Sequence, residues 1–241
     1  EEVLRASVPE HRSMEQADRP ASAADWRAFV STLRRQYRAA RTRTTLTIIA
    51  LTSAVFLLQA VATWVTGAPS IRALTAFLFL EGGDAVFLLS PFLHQGAVHF
   101  VSNVLVLLVL APQERHFSPG GYWIFLLAGA ALALGVGYAV LLAYSPASNV
   151  AVYGISGLGY ALGGFALARA VGDPAGCSEL DLIAAVIGGS SVLTVAVNVL
   201  TNLPGAPAAV NGGHLSGLVF GLLVGALWRR SHAAAGTVDT S

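Results

Sequence analysis

Long apolar runs separated by short polar segments dominate the chain, and this pattern predicts membrane-spanning helices. A transmembrane helix needs about 20 predominantly apolar residues. Six runs approach this length: Leu46–Thr66, Ala97–Ala111, Tyr122–Tyr144, Ile155–Val171, Leu182–Leu203 and Gly213–Trp228. The second, fourth and sixth runs are short for a span. The pattern therefore predicts an all-α bundle with six transmembrane helices.

The segment Gly67–Gly96, between the first two runs, has a different pattern. It contains two apolar stretches, Ala73–Leu80 and Ala85–Leu93, which Glu81-Gly-Gly-Asp84 separates. Each stretch is too short to cross a bilayer. We expect a membrane-associated loop between the first two spans, with a re-entrant hairpin as the alternative.

The N-terminal segment, residues 1–45, is polar and rich in charge. Residues 1–24 are typical of a mobile tail, and an amphipathic helical pattern begins at Asp25. Its apolar residues recur at helical spacing, and they are Trp26, Phe29, Val30, Leu33 and Tyr37. Several arginines accompany this stripe. Two interpretations stay open: an interfacial helix on anionic lipid, or a solvated basic leader that sets the topology.

Composition excludes a soluble globule. Hydrophobic residues make up 55% of the 241 residues and charged residues only 11%, whereas a soluble domain carries about 25% charged residues. The net charge of +1 does not indicate nucleic-acid binding, because the basic residues are concentrated beside the first apolar run. The single cysteine, Cys177, excludes an internal disulfide and a multi-thiolate metal site.

The arginines also predict the orientation of the spans in the cell membrane. With a cytoplasmic N-terminus, 13 of the 14 arginines lie on the cytoplasmic side and only Arg72 lies outside. We therefore expect both termini in the cytoplasm, a six-span core at 46–228 and a C-terminal tail at 229–241. The second, fourth and sixth spans then all run inward from the outer face, and their first residues share one depth.

Unusual polar residues lie near these three outer ends. His99 and Asn103 are four residues apart in the second span and share a helix face. Ser156 and His214 each lie within about one turn of the outer end of the fourth and the sixth span. Intramembrane polar side chains usually face a cavity or the bundle interior. Ser156 and His214 are therefore a candidate nucleophile and base, and His99 and Asn103 are candidate oxyanion donors.

Glycine stripes predict which helices are in contact. In the sixth span they are Gly213, Gly217, Gly221 and Gly225, and the last three lie on nearly the same face as His214. In the fourth span they are Gly157, Gly159, Gly163 and Gly164. Small residues let membrane helices approach closely, so packing of the two stripes would bring Ser156 within hydrogen-bond range of His214. Tyr160, one turn below Ser156, could hold the imidazole by stacking.

Each feature also has a simpler explanation. A Gly-x-Ser-Gly sequence arises easily by chance in a glycine-rich span, and His99 with Asn103 could be polar contacts between helices. His94, His99 and His214 could form a three-histidine zinc site, although Ser156 would then have no role. The combination of these features at matched depth favours catalysis.

Together the motifs resemble those of the rhomboid family of intramembrane serine proteases. The matching residues are His94-x4-His99-x3-Asn103, Gly154-x-Ser156-Gly157 with Tyr160, and His214-x2-Gly217-x3-Gly221. The resemblance covers residues 46–228. It implies that Ser156 is the nucleophile, that His214 is its base, and that His99 and Asn103 help to form the oxyanion hole. It also implies structural roles for His94 and for Glu114, at the inner end of the second span.

The chain departs from the family pattern in the first loop. Many members carry a Trp-Arg pair shortly before the first motif histidine, whereas Ala85–Ser90 contains no arginine. The sequence therefore does not predict how this loop is braced. Gly213 stands where alanine is usual before the histidine, which is a mild change.

The resemblance implies a serine endopeptidase that needs no cofactor or metal and cleaves single-span membrane proteins near the outer face. The first loop or a sideways shift of the fifth span could admit the substrate. If the fifth span is the movable gate, Gly188 and Gly189 would tolerate bulkier residues than Gly217 does. Two other functions stay open: an inactive rhomboid-like protein that binds membrane clients, and a small-solute channel, which the apolar inner halves of the spans disfavour. The sequence predicts neither the substrate's identity nor the oligomeric state.

Overall fold

The computed structural model describes residues 23–40, 42–81, 89–144, 154–201 and 206–236, and these contain helices and no strand. The α-helices are α1 (Ala23–Ala39), α2 (Arg43–Thr66), α3 (Ile71–Glu81), α4 (Ala97–Leu110), α5 (Pro119–Tyr144), α6 (Ser156–Gly172), α7 (Glu179–Thr201) and α8 (Ala206–Gly236). Short 3-10 turns cover Ser90–Phe92 and Ala111–His116. The predicted all-α class is confirmed. Most of the predicted N-terminal tail lies outside the described residues.

Five helical segments are long and apolar enough to cross a membrane. They are Arg43–Thr66, Ala97–His116, Pro119–Ala143, Glu179–Thr201 and Ala208–His232. Each coincides with one predicted span, so the chain is a multi-pass membrane protein. The remaining predicted span corresponds to α6, which has only 17 residues, 11 of them buried. A helix enclosed in this way has little contact with lipid, and its length is set by its neighbours.

The segment between α2 and α4 is partly helical, because α3 follows α2 after a short turn. Gln59 on α2 holds this segment in place with its buried amide. Its Nε2 donates to Thr75 Oγ1 at 2.8 Å and to the His94 carbonyl oxygen at 3.2 Å, while its Oε1 accepts from the His94 N–H at 3.1 Å. Residues 82–88, which include most of the stretch without the Trp-Arg pair, lie outside the described residues.

The packing centre of the bundle is the contact of α6 with α8. A Cβ added at Gly217 would lie 2.5 Å from the carbonyl oxygen of Gly157, and one at Gly221 would lie 1.9 Å from that of Ala161. A Cβ at Gly164 would lie 2.4 Å from the carbonyl oxygen of Leu218. Only glycine permits these backbone approaches. The predicted packing of the fourth span against the sixth is therefore confirmed.

Helix α8 begins earlier than predicted. It starts at Ala206, whereas the apolar pattern predicted a start at Gly213. Pro207 is favoured in the first turn of a helix, and the alanines that follow are strong helix formers. Gly212 and Gly213 lie within the helix, and both pack against α5: a Cβ at Gly213 would lie 2.9 Å from the Ala133 carbonyl oxygen. The predicted C-terminal tail at 229–241 is likewise helical as far as Gly236.

At the opposite end of the spans from Ser156, Glu114 joins the end of α4 to the start of α2. Its carboxylate accepts the backbone N–H groups of Thr44 and Thr45, both at 3.0 Å, and the Thr45 hydroxyl at 3.1 Å. These N–H groups have no partner within the helix. Glu114 therefore caps α2, and the Thr45 hydroxyl lies 2.8 Å from that of Tyr122 on α5.

A buried ionic cluster surrounds Asp181 in the first turn of α7. Its carboxylate lies 2.6 Å from Arg115 Nη2 and 3.0 Å from both Arg169 Nη1 and His116 Nε2. Gln113 Nε2 donates to the same carboxylate at 3.0 Å. Asp181 thereby fixes the first turn of α7 against α6 and against the 3-10 turn that follows α4.

Close backbone contact also joins the middle of α7 to α6. A Cβ at Gly188 would lie 2.1 Å from the Gly163 carbonyl oxygen, whereas one at Gly189 meets nothing within 4 Å. The expectation that Gly188 tolerates a bulkier side chain is therefore wrong, because this glycine faces α6. Gly189 alone has the space that the expectation required.

Helix α1 contacts the base of α7 through Gln36. The Gln36 Oε1 accepts the Leu180 N–H at 3.3 Å, and its Nε2 donates to the Glu179 carboxylate. No residue of α1 is buried, and Trp26 is 62% exposed. The choice between an interfacial helix and a solvated leader stays open.

Candidate active site

Ser156 and His214 are in direct contact. Ser156 is the first residue of α6, and its Oγ lies 2.8 Å from Nε2 of His214 on α8. The Tyr160 ring, one turn further along α6, stacks on the imidazole with the ring centroids 4.2 Å apart and the planes at 13°. Tyr160 therefore holds the plane of the imidazole against the serine hydroxyl.

The two residues occupy different positions along their helices. Ser156 lies at the very start of α6, as predicted, but His214 does not lie within the first turn of α8. Because α8 begins at Ala206, His214 is about 12 Å along its axis, at 1.5 Å per residue. The two side chains meet because the first turns of α8 extend beyond the start of α6 beside it.

Gly154 brings His99 close to the serine. Its φ of +102° is in a region that glycine occupies readily. A Cβ at Gly154 would lie 2.9 Å from His99 Cε1 and 3.7 Å from Asn103 Nδ2. His99 and Asn103 therefore pack against the turn that leads into Ser156. The Gly154 N–H donates to the Ser90 carbonyl oxygen at 2.9 Å, which ties this turn to the first loop.

His94 joins the first loop to Asn103. Its Nδ1 lies 3.0 Å from the Phe92 carbonyl oxygen, which can only accept, so Nδ1 carries the hydrogen. Nε2 then accepts from Asn103 Nδ2 at 3.1 Å. Burial lowers the pKa of His94 to about 4, which keeps the ring in this neutral form near pH 7. One amide hydrogen of Asn103 is used by His94, and the second is free for another acceptor.

A cavity of about 300 Å³ lies beside Ser156, between α4 and α7. His99 and Asn103 line it from α4, and hydroxyl groups line it from α7. The α7 residues are Ser190, Ser191 and Thr194. Because Ser156 and His214 also border this cavity, a peptide segment inside it would meet both side chains.

The imidazole of His214 has no acidic partner among the described residues. Its Nδ1 is buried without a hydrogen-bond partner in that part of the chain. The arrangement there is a serine–histidine pair. In the same ranges, no group of three His, Cys, Asp or Glu side chains is placed to hold a metal ion.

Two contributors to this region are not among the predicted site residues. Gln59 is a polar residue inside the first span, and the rule that such residues have a structural or functional partner could have identified it. The hydroxyls of Ser190, Ser191 and Thr194 gave no comparable signal, because serine and threonine can satisfy their hydrogen bonds within a membrane helix.

Comparison with known families agrees with this geometry. A family model described as the Rhomboid domain matches residues 84–231, which is more than half of the chain and includes all three motifs. Comparisons with curated proteins and with solved structures gave no significant match. From the matched domain, the apolar helices and the motifs within them, we conclude that the chain belongs to the rhomboid family.

Proposed function

We propose that the protein is an intramembrane serine endopeptidase that cleaves single-span membrane proteins near the outer face of the bilayer. The observation that carries the proposal is the 2.8 Å contact between Ser156 Oγ and His214 Nε2, beside a cavity that both residues line. Membership of a family that generally consists of serine intramembrane proteases supports it.

In the first step Ser156 Oγ attacks the carbonyl carbon of the substrate peptide bond, and its proton passes to His214 Nε2. The carbon–nitrogen bond then breaks, and His214 returns the proton to the leaving amine. Water attacks the resulting acyl-enzyme with His214 again as base, which releases the acid and restores the serine hydroxyl. Tyr160 keeps the imidazole in position throughout, because the two rings are stacked.

Developing negative charge on the carbonyl oxygen is stabilised by donors around Ser156. The Ser156 N–H lies at the start of α6, where backbone N–H groups lack intrahelical partners and the helix dipole favours an anion. His99 and the free amide hydrogen of Asn103 lie against the adjoining turn. Together they form the proposed oxyanion hole.

The proposed topology has six spans, with α6 as the sixth crossing helix and both termini in the cytoplasm. Glu114, Asp181 and Arg169 all lie at the end of the spans away from Ser156, where they connect the ends of several spans. This common placement supports a shared orientation of these spans in the membrane. A substrate would reach Ser156 through the cavity between α4 and α7. The domain limits at 46 and 228 stay predictions.

The test is covalent labelling of the purified protein with a fluorophosphonate probe in detergent. We expect labelling of the wild type and none of Ser156→Ala. Ser191→Ala is the matched control. It removes a hydroxyl from the same cavity, and this hydroxyl donates to the Ile187 carbonyl oxygen and not to His214. Labelling that persists in Ser156→Ala would overturn the assignment. A folded wild type that does not label would instead favour the inactive client-binding protein.

A further inference from the structure

A second cavity, of about 510 Å³, lies at the inner end of the spans, remote from Ser156. It is formed where α6 ends beside the last turns of α8. Its charged and aromatic lining consists of Arg169, Asp173, Trp228, Arg229, Arg230 and His232. The proposed catalytic mechanism uses none of these residues.

Positive charge in this cavity exceeds negative charge. Arg169 shares its only carboxylate, that of Asp181, with Arg115. In the part of the chain that the structure describes, Arg169 Nε is buried without a hydrogen-bond partner. Arg229 and Arg230 form no ion pair in that part of the chain. Three guanidinium groups therefore face a single lining carboxylate, Asp173, which already accepts the Gly176 N–H at 3.0 Å.

The cavity is built from contacts that fix its walls. The Arg169 guanidinium lies 4.6 Å from the centroid of the Trp228 ring, and the His232 ring stacks on the same indole at 3.8 Å. Trp228 Nε1 donates to the His116 carbonyl oxygen at 2.9 Å. The Trp228 ring, in contact with Arg169 and His232, therefore forms an aromatic wall of the cavity next to the arginines.

Gly172 determines where the guanidinium of Arg229 lies. A Cβ added at Gly172 would be 1.6 Å from Arg229 Nη1, so this guanidinium occupies the space of the missing side chain over the last residue of α6. There it offsets the partial negative charge at the C-terminal end of that helix.

The position of the cavity relative to the membrane indicates the source of its ligand. The apolar run of α8 ends at Trp228 and two arginines follow it, so the cavity lies at the membrane–water boundary, where tryptophan is common. Val171 and Leu227, the neighbours of Gly172 and Trp228 in sequence, are 75% and 62% exposed and offer apolar surface for acyl chains. Basic pockets between membrane helices bind the headgroups of anionic lipids, and guanidinium groups match phosphate oxygens in pairs.

We propose that this cavity binds the phosphate group of an anionic phospholipid. Arg229 and Arg230 supply the charged donors, and the phosphate balances the excess positive charge that Arg169 brings to the site. A free phosphate compound would offer the same charge without the acyl chains. The proposal is independent of the proposed peptidase activity.

The test measures the melting temperature of the full chain in neutral detergent, with added phosphatidylglycerol, phosphatidylcholine or inorganic phosphate. A ligand that binds only the folded protein raises this temperature. We expect phosphatidylglycerol to raise it, phosphatidylcholine to have no effect, and inorganic phosphate to act only at far higher concentration. An equal effect of inorganic phosphate at the same concentration would overturn the lipid as the ligand.

Two variants locate the effect. The double variant Arg229→Gln/Arg230→Gln should need at least about tenfold more phosphatidylglycerol for half of the shift, because charged hydrogen bonds are lost. Arg72→Gln on α3 removes an exposed positive charge far from the cavity and should respond like the wild type. An unchanged response in the Arg229 and Arg230 variant would overturn the proposal.

Gly172→Ala tests the same site without removing any charge. Its Cβ would displace the Arg229 guanidinium, which can move because it is the end of a flexible side chain. We expect a weaker response to phosphatidylglycerol than in Gly120→Ala, where a Cβ meets nothing within 4 Å. This comparison remains decisive if the double variant fails to fold, and equal responses of the two glycine variants would contradict the proposal.

Discussion

Ser156 and His214 meet through a single hydrogen bond, so neither residue is expected to support catalysis without the other. Ser156→Ala and His214→Ala should each abolish turnover of a model single-span substrate. The double variant should be no worse than either single variant, because residues that act as one unit are not additive. Rates for all three, with melting temperatures to show that they fold, make the check. Substantial turnover in both single variants would contradict the pairing.

Asn103 and His99 are expected to raise the rate of peptide cleavage, whereas the nucleophile itself is Ser156. Loss of one oxyanion donor typically lowers kcat by about 10²- to 10³-fold, and we expect this for Asn103→Ala, with slower but measurable probe labelling of Ser156. The same outcome is expected for His99→Ala. Because Asn103 also binds His94, the matched control is Gln59→Ala, which loosens the loop without removing a donor from the site. An intact kcat in Asn103→Ala would leave that residue a purely structural role.

At the residue scale, spacing in the sequence was enough to predict which polar side chains meet at Ser156. The residues that support them were harder to find. Asp181 lies 66 residues from Arg115 and 12 from Arg169, and nothing in the local pattern of any of the three indicates the pairing. Long-range partners of this kind follow from how α4, α6 and α7 pack, which the apolar runs alone do not specify.

The contact between α6 and α8 can be tested with glycine substitutions. Gly217→Leu places a side chain against the Gly157 backbone and should separate the two helices. A displacement of about 1 Å at a catalytic contact can lower the rate about 10²-fold, so we expect near-complete loss of activity and a lower melting temperature. Gly189→Leu on α7, with open space at its Cβ, is the matched control and should change little. Equal behaviour of the two variants would contradict the assigned contact.

The ionic cluster at the base of α7 should contribute to stability. Asp181→Ala leaves two arginines in a buried site without their carboxylate, and breaking a buried ion pair costs about 3–5 kcal/mol. We expect a clearly lower melting temperature, whereas Asp173→Ala, at an exposed carboxylate, should have a small effect. Thermal unfolding of both variants in the same detergent makes the comparison. A melting temperature unchanged by Asp181→Ala would show that the cluster is not needed to hold α7.

Helix existence was easier to predict than helix ends. The apolar pattern predicts a start of α8 at Gly213, where the apolar run begins, but Gly212 and Gly213 lie within the helix and pack closely against α5. Gly188 was misjudged for the same reason: a sequence shows that a position is glycine and does not show which backbone lies against it. Helix α3 was missed because its 11 residues are too few to span a membrane and were treated as loop.

For the whole molecule, the proposed orientation predicts which surfaces face the cell exterior. In a Cys177→Ser background, a cysteine at Ser70, exposed beyond the outer end of α2, should react with an impermeant maleimide on intact cells. Cysteines at Ser118 and Ser231, both exposed near the opposite end, should react only after permeabilisation. The reverse pattern would overturn the orientation inferred from the arginines.

The overall architecture followed from apolar length, because this is an average over many residues. The orientation, which rests on the distribution of charge, stays a prediction. Features that depend on a few atoms did not follow. The brace at Gln59 and the link from Gln36 to the first turn of α7 join residues that are remote in sequence, and each becomes visible only once the helices are placed side by side.

Helix α7 is attached to its neighbours in its first half, so the second half could tilt about this attachment. Asp181 and Gly188 hold its inner half, whereas beyond Gly188 most side chains are at least partly exposed. The stretch from Gly188 to Thr201 is about 20 Å long, at 1.5 Å per residue. A tilt of about 10° about Gly188 would move the end of the helix at Thr201 by about 3 Å and would hardly move Gly188 itself. The cleft between α4 and α7 would then widen most at the membrane surface. Its width at Ser190 would change little, because Ser190 lies close to the point about which the helix tilts.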